Sequence, residues 1–224
     1  MDTLETVLKI KLLFIKIKTI YLINMKSTTT KLILLLFLCF NITISAQQNF
    51  SPEKISDAAL ELTNQFVVYD GNYYDIPYPN GDVPDGIGVC TDVVIMTYRA
   101  NGLDLQKEVH EDMSRNFNLY PKIWGLSKPD HNIDHRRVPN LMTYFERQNS
   151  KLPITNISSD YLPGDIVAWN LGGGTTHIGV VVDIPSKDKK RYQIVHNIGV
   201  GQVLEDCLFD FDIIGHYRFL SANN

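Results

Sequence analysis

The chain has 224 residues, 44% of them hydrophobic and 10% aromatic, and a formal net charge of −4. That apolar share can bury a sizeable core, which excludes intrinsic disorder. The acidic balance makes nucleic acid a poor partner.

Residues 1–46 read as an export signal. Met25-Lys26 and Lys31 give a basic n-region, and Leu32 to Phe40 an apolar h-region too short to span a bilayer well. Ile44-Ser45-Ala46 ends on a small residue, which predicts cleavage before Gln47. Met25 is then the true initiator and residues 1–24 a wrongly assigned start. Cys39 follows the bulky Phe37-Leu38, which does not suit a lipoprotein site. An uncleaved membrane anchor is the alternative. Cleavage removes six Lys and two acids, so 178 residues remain and the net charge falls from −4 to −8. The expectation is one exported domain, 47–224, periplasmic or extracellular, with no stable membrane span after cleavage.

Ser51-Pro52-Glu53 predicts a helix start, with Ser as N-cap, Pro at N1 and an acid in the first turn. Ile55, Ala58, Ala59, Leu62 and Phe66 then share one face. Residues 67–89 hold Pro77, Pro79, Pro84, Gly71, Gly81, Gly86 and Gly88, which predicts a long shaped loop. A helix follows from Cys90 to near Gly102. Leu105, Val109, Met113 and Phe117 recur every four residues and predict another. Residues 118–137 are irregular and polar. Leu141, Met142 and Phe145 mark a short helix. After Pro153 the runs DIVAW, HIGVVVD, RYQIVHN and IIGHYRF are β-rich. Helices first and strands second predict an α+β fold, with N-terminal helices packed on an antiparallel sheet.

Cys90 closes the glycine-rich approach PYPNGDVPDGIGVC and opens a helix. Free N–H groups there favour a thiolate and can receive an oxyanion. His177 opens an apolar strand and shares a face with Gly179, Val181 and Asp183, which suits a general base. His196 ends a comparable run beside Ile194 and Tyr192 and is placed to orient His177. Asn197, on the other face, is the alternative orienter. A thiol with imidazoles on strands is the equipment of nucleophilic acyl chemistry.

Other groups carry weaker signals. Cys207, in EDCLFDF, reads as a buried structural thiol, with a Cys90–Cys207 disulfide as the alternative. Asp92 complements the helix dipole, or faces the cleft and binds a substrate amine. Arg136 and Arg137 clamp a substrate carboxylate, or join an ion-pair network. His131, Asp134 and His135 have zinc-like spacing only if helical, and Pro129-Asp130 argue for a loop. His110 lies elsewhere. With no HExxH or paired-cysteine motif, no metal is expected. His216 reads as structural.

The approach PYPNGDVPDGIGVC and the later LPGDIVAW, THIGVVVD and IVHN resemble the NlpC/p60 superfamily of cell-wall cysteine peptidases. They match its tyrosine and glycine turn before a helix-capping Cys, its Pro-Gly-Asp turn, its histidine strand and its third polar residue. Over nearly all of residues 47–224, VCTDVVIMTYRANGLDLQ, HEDM, NIDHRRVPNL, PGDIVAW, HNIG and GHYR resemble a bacterial family, domain of unknown function 1287. The resemblance implies a papain-like fold, with Cys90 as nucleophile, His177 as base and His196 as orienting residue. It places Tyr78 near the oxyanion and substrate. It implies hydrolysis of amide bonds in peptidoglycan stem peptides, with no cofactor. The chain departs from the superfamily at Val89 and Thr91-Asp92 around the Cys. It departs again at Val-Ala-Trp after the Pro-Gly-Asp turn, and in an apparent insertion at about residues 103–150. The expected function is a secreted cysteine amidase or endopeptidase. The alternatives are a non-catalytic module that binds cell-wall peptide and an acyltransferase using the same triad.

Overall fold

The computed structural model describes residues 50–220, so the expected signal peptide, with Met25 and Cys39, lies outside the described residues. Helix α1 spans Pro52–Leu62, with the Ser51 side chain accepting the Lys54 N–H at its start. It stops at Leu62, four residues short of Phe66, whose ring is 86% exposed instead of joining the apolar face. Helix α2, Cys90–Ala100, begins on the thiol itself. Helix α3, Leu105–Asn116, is capped by Asp104, and α4 covers Val138–Arg147. The segment 67–89 is not wholly loop. Strands β1, Val68–Tyr69, and β2, Ile87–Gly88, pair in parallel within it. Two-residue strands are too short to leave a periodic pattern.

The sheet is antiparallel throughout. Its strands are β3 (Ile166–Asn170), β4 (Thr176–Pro185), β5 (Tyr192–Asn197), β6 (Gln202–Glu205) and β7 (Asp212–Tyr217), in the order β6-β5-β4-β3-β7. Among the described residues the fold is α+β, as the order of patterns predicts. Strand β6 is the one the sequence hides, because Gln-Val-Leu-Glu is short and only partly buried. No helix among the described residues is long and apolar enough to cross a membrane.

Both faces of the central strands are covered, which explains their nearly unbroken apolar runs. On the helix face, Ile166, Ala168, Ile178, Val180, Val182 and Val195 pack with the helices, Cys90 included. On the far face, Val167, Trp169, Val181 and Ile194 pack with Tyr161, Cys207 and Leu208. The period of two therefore sends Thr176 and Ile178 towards the helices and His177 away from them. Residues 103–150 share the main core through Leu105, Val109, Met113, Leu141, Tyr144 and Phe145, so this segment is an integral layer.

The Pro-Gly-Asp turn anchors the sheet. Gly164 has φ +88°, and a Cβ there would sit 2.9 Å from Pro52 Cα, so the turn needs glycine on both counts. Asp165 is fully buried and accepts from Leu162 N (2.8 Å) and from Arg218 Nε and Nη2 (2.7 and 2.8 Å). His216 bridges Asp165 (2.9 Å) and the Pro153 carbonyl (3.1 Å) and stacks on Tyr161, a structural role as expected. Removing a buried carboxylate strands its partners. Asp165→Ala is expected to lower unfolding stability by about 3–5 kcal/mol, read by urea denaturation; a loss under about 1 kcal/mol would contradict this anchoring role.

Candidate active site

Cys90 is buried, and the backbone N–H groups of Ile178, Thr91 and Cys90 itself lie at its sulfur. Two of these are unpaired donors of the first helical turn, the third comes from β4. These amides favour an anion at the sulfur. Even so, burial outweighs these donors, and with the nearby Asp92 carboxylate it pushes the thiol up to about 11. The preformed thiolate expected from helix position alone is not the resting form. Among the described residues, the Cys90 thiol has no hydrogen bond from an imidazole.

His177 follows the thiol by position: its neighbour Ile178 supplies the amide at the sulfur. Its ring lies on the far face beside Trp169 and is bonded through Nε2 to Nδ1 of His196 at 2.7 Å. His196 Nε2 lies 3.1 Å from Glu205 Oε2. A carboxylate only accepts, so His196 donates from Nε2 and accepts at Nδ1. His177 then donates from Nε2, which leaves Nδ1 as its basic nitrogen. Burial, followed by the neighbouring His196, lowers His177 to about 3, so the ring is neutral. Gly179 makes this approach fit, since a Cβ there would meet Ile194 Cγ2 at 2.8 Å and His196 Cβ at 3.0 Å. Asn197 points to the other face, donating weakly to the Gly88 carbonyl (3.4 Å) and accepting from Gly199 N (3.2 Å), so it does not orient His177.

A cleft of ≈ 210 Å³ opens over Cys90, lined in part by Tyr69, Trp124, Arg136, Arg137 and Thr176. The tyrosine here is Tyr69, not Tyr78. Tyr78 packs its ring against His110 and His131, at centroid distances of 5.3 and 5.2 Å, and does not line the cleft. Tyr69 is brought in by its β-bridge to Gly88, two residues before the thiol. Burial, then Cys90 and Asp92, raise its phenol above the ordinary value. The signal available in the sequence was its place opposite the glycine approach, not its distance from Cys90 along the chain.

Asp92 and Arg136 are not free for substrate. Asp92 Oδ2 accepts the Val89 N–H (2.7 Å) and Arg136 Nη2 (3.1 Å), and Oδ1 accepts Arg136 Nε (3.2 Å). Arg136 also donates to the carbonyls of Asn72 (3.2 Å) and Asp70 (3.3 Å). The network alternative describes this pair. Arg137 differs. Its guanidinium lies 4.1 Å over the Trp124 ring at the cleft, where burial lowers its basicity. It presents a cation to the space above Cys90.

Both Cys90 and Cys207 are free thiols and belong to separate apolar clusters, so the disulfide alternative does not describe this structure. Cys207 is buried as expected, but its Sγ lies 3.7 Å from His196 Nε2. Glu205 was missed because β6 was missed. Asp134 is taken by His110 (3.1 Å) and the Asp130 N–H (2.7 Å), and His135 is buried with its basicity lowered to about 3. Among the described residues, His131, Asp134 and His135 do not converge as ligands.

A family model described as Domain of unknown function (DUF1287) matches residues 56–219. The Uncharacterized protein YijF of Escherichia coli (strain K12) is 47% identical over 178 residues, covering 80% of this chain and 85% of the relative. A crystal structure from Staphylococcus aureus subsp. aureus Mu50, described as similar to lipoprotein, NLP/P60 family, aligns at 14% identity with a TM-score of 0.36. That alignment covers 83% of this chain and 47% of the other, so this chain spans about half its length.

A neutral resting thiol has a kinetic signature. With the thiol at about 11, its ionised fraction grows with pH throughout the neutral range. Iodoacetamide labelling of Cys90 is expected to accelerate about tenfold per pH unit between about pH 6 and pH 9. A flat, fast rate across that window would mean that a thiolate already exists.

Proposed function

The chain belongs to the family described as Domain of unknown function (DUF1287), and from that premise we propose that it is an exported cysteine amidase or endopeptidase. Its proposed substrates are the amide bonds of peptidoglycan stem peptides. The observation that carries the reading is the 2.7 Å bond between His177 Nε2 and His196 Nδ1, on the strand whose next residue, Ile178, turns its amide to the Cys90 thiol. That bond sets the resting tautomer and leaves His177 Nδ1 as the base. The motif resemblance to the NlpC/p60 superfamily supports the same chemistry.

In this mechanism the His177 ring, which rests on the face of β4 away from the helices, swings round the strand end towards the Ile178 amide and takes the Cys90 proton at Nδ1 as the sulfur attacks the amide carbonyl. The first-turn N–H groups take the oxyanion. His177 returns its proton to the leaving amine as the C–N bond breaks. Water, deprotonated by His177, then attacks the thioester and releases the acid with the thiol. Glu205 and His196 steady the charge that appears transiently on His177. Arg137 over Trp124 offers a cation to a stem-peptide carboxylate.

The test is a digest of purified peptidoglycan, read by mass spectrometry beside a Cys90→Ala control. New stem-peptide fragments are expected with the native protein. The variant is expected to fall by ~10³-fold or more. Equal fragment yields from both would remove the mechanism. The buried, neutral thiol favours one second reading, a non-catalytic module that binds cell-wall peptide. On that reading both proteins retain intact stem peptides and release none. Export makes its own prediction: the N-terminus of the protein recovered outside the cytoplasm is Gln47, and recovery of chains still carrying residues 25–46 would count against cleavage.

A further inference from the structure

Three side chains converge on the far face of the sheet. His196 Nε2 lies 3.1 Å from Glu205 Oε2 and 3.7 Å from Cys207 Sγ, and the three atoms all lie within 4.8 Å of one another. The β5–β6 hairpin creates the set. His196 pairs with Val203, which puts Glu205 on its diagonal, and the chain turns in at Cys207 just after the strand. Imidazole, carboxylate and thiolate together suit zinc and its borderline-soft neighbours, whereas magnesium and calcium reject sulfur. Ligand atoms around a tetrahedral zinc sit about 3.3–3.8 Å apart, so the cluster closes on an ion with shifts of about 1 Å. Glu205, with its side chain 47% exposed, offers the entry. The 2.7 Å bond from His196 Nδ1 to His177 is the outer hydrogen bond that a ligating imidazole normally makes.

We propose that His196, Glu205 and Cys207 bind one divalent cation of the zinc class, and that its binding withdraws His177 as a base. The second half follows from proton positions. Without the ion, His196 carries its proton on Nε2 and His177 carries its own on Nε2, leaving Nδ1 of His177 bare. An ion on His196 Nε2 moves that proton to Nδ1, which now donates to His177 Nε2. His177 must then hold its single proton on Nδ1, the nitrogen that would receive the Cys90 proton. Both rings stay neutral. Cys207 alone gives up a proton, to solvent, as its sulfur takes the metal. The effect on His177 rests on the hydrolase reading; the ion site does not.

Titration of the purified protein with Co²⁺ is expected to raise a sulfur-to-cobalt charge-transfer band that saturates at one ion per chain and is bleached by Zn²⁺. The band should vanish in Cys207→Ser and persist in Cys90→Ser. Glu205→Gln, at an exposed side chain, should weaken Co²⁺ binding about tenfold or more while the fold is kept. No band in the native protein, or a band that follows Cys90, overturns the site. Zn²⁺ should also move the His177 proton from Nε2 to Nδ1, read from the imidazole ¹⁵N shifts by NMR, and should have no effect in Cys207→Ser. Unchanged His177 shifts with the ion bound overturn the link to His177. The cobalt band is read without substrate, so a failed peptidoglycan digest does not decide it.

Discussion

The cleft depends on one ion pair, Asp92 with Arg136. Each charge is largely withdrawn from water, which is costly unless the other is present. Asp92 also caps the helix that begins at Cys90, through the Val89 N–H. Arg136 reaches past it to the carbonyls of Asp70 and Asn72, in the segment that carries Tyr69. Three parts of the chain, remote in sequence, are thereby fixed around one sulfur. Gly88 belongs to the same joint, since a Cβ there would lie 3.3 Å from Asp92 Oδ2. Arg136 spends its donors on architecture, and the next residue, Arg137, is left to face the opening.

At Cys90 two physical effects compete. First-turn amides favour a thiolate, and burial disfavours it; burial wins. On the other side of the strand, burial also keeps His177 neutral. Separating charge between thiol and imidazole is therefore uphill at rest. A substrate that closes the cleft would place a developing oxyanion against the same amides, so their stabilisation is felt during reaction more than before it.

Much of this was legible along the chain. Alternation grouped His177 with Gly179 and Val181, and His196 with Ile194, each on a face of its own strand, and helix punctuation placed Cys90 at the first turn. The α+β order followed from the change of pattern near Pro153. What the sequence concealed was pairing across distance. Tyr78 is nearer Cys90 in sequence, yet a two-residue parallel bridge delivers Tyr69 instead. Arg136 and Arg137 are adjacent and chemically alike, and only the position of Asp92 separates their duties. Glu205 lay in a strand too short and too exposed to announce itself. Phe66 continues the periodicity of α1 in sequence alone, because the helix ends at Leu62.

Gly179 has a consequence for how this family can vary. It is the residue whose absent side chain lets His196 lie against β4. Any larger residue pushes the neighbouring strand outward, and none is smaller. Drift at this position can therefore only lengthen the contact between the two imidazoles, never shorten it. The spacing of the relay is set at a limit of the amino-acid alphabet, and adjustment must come from the groups at its ends.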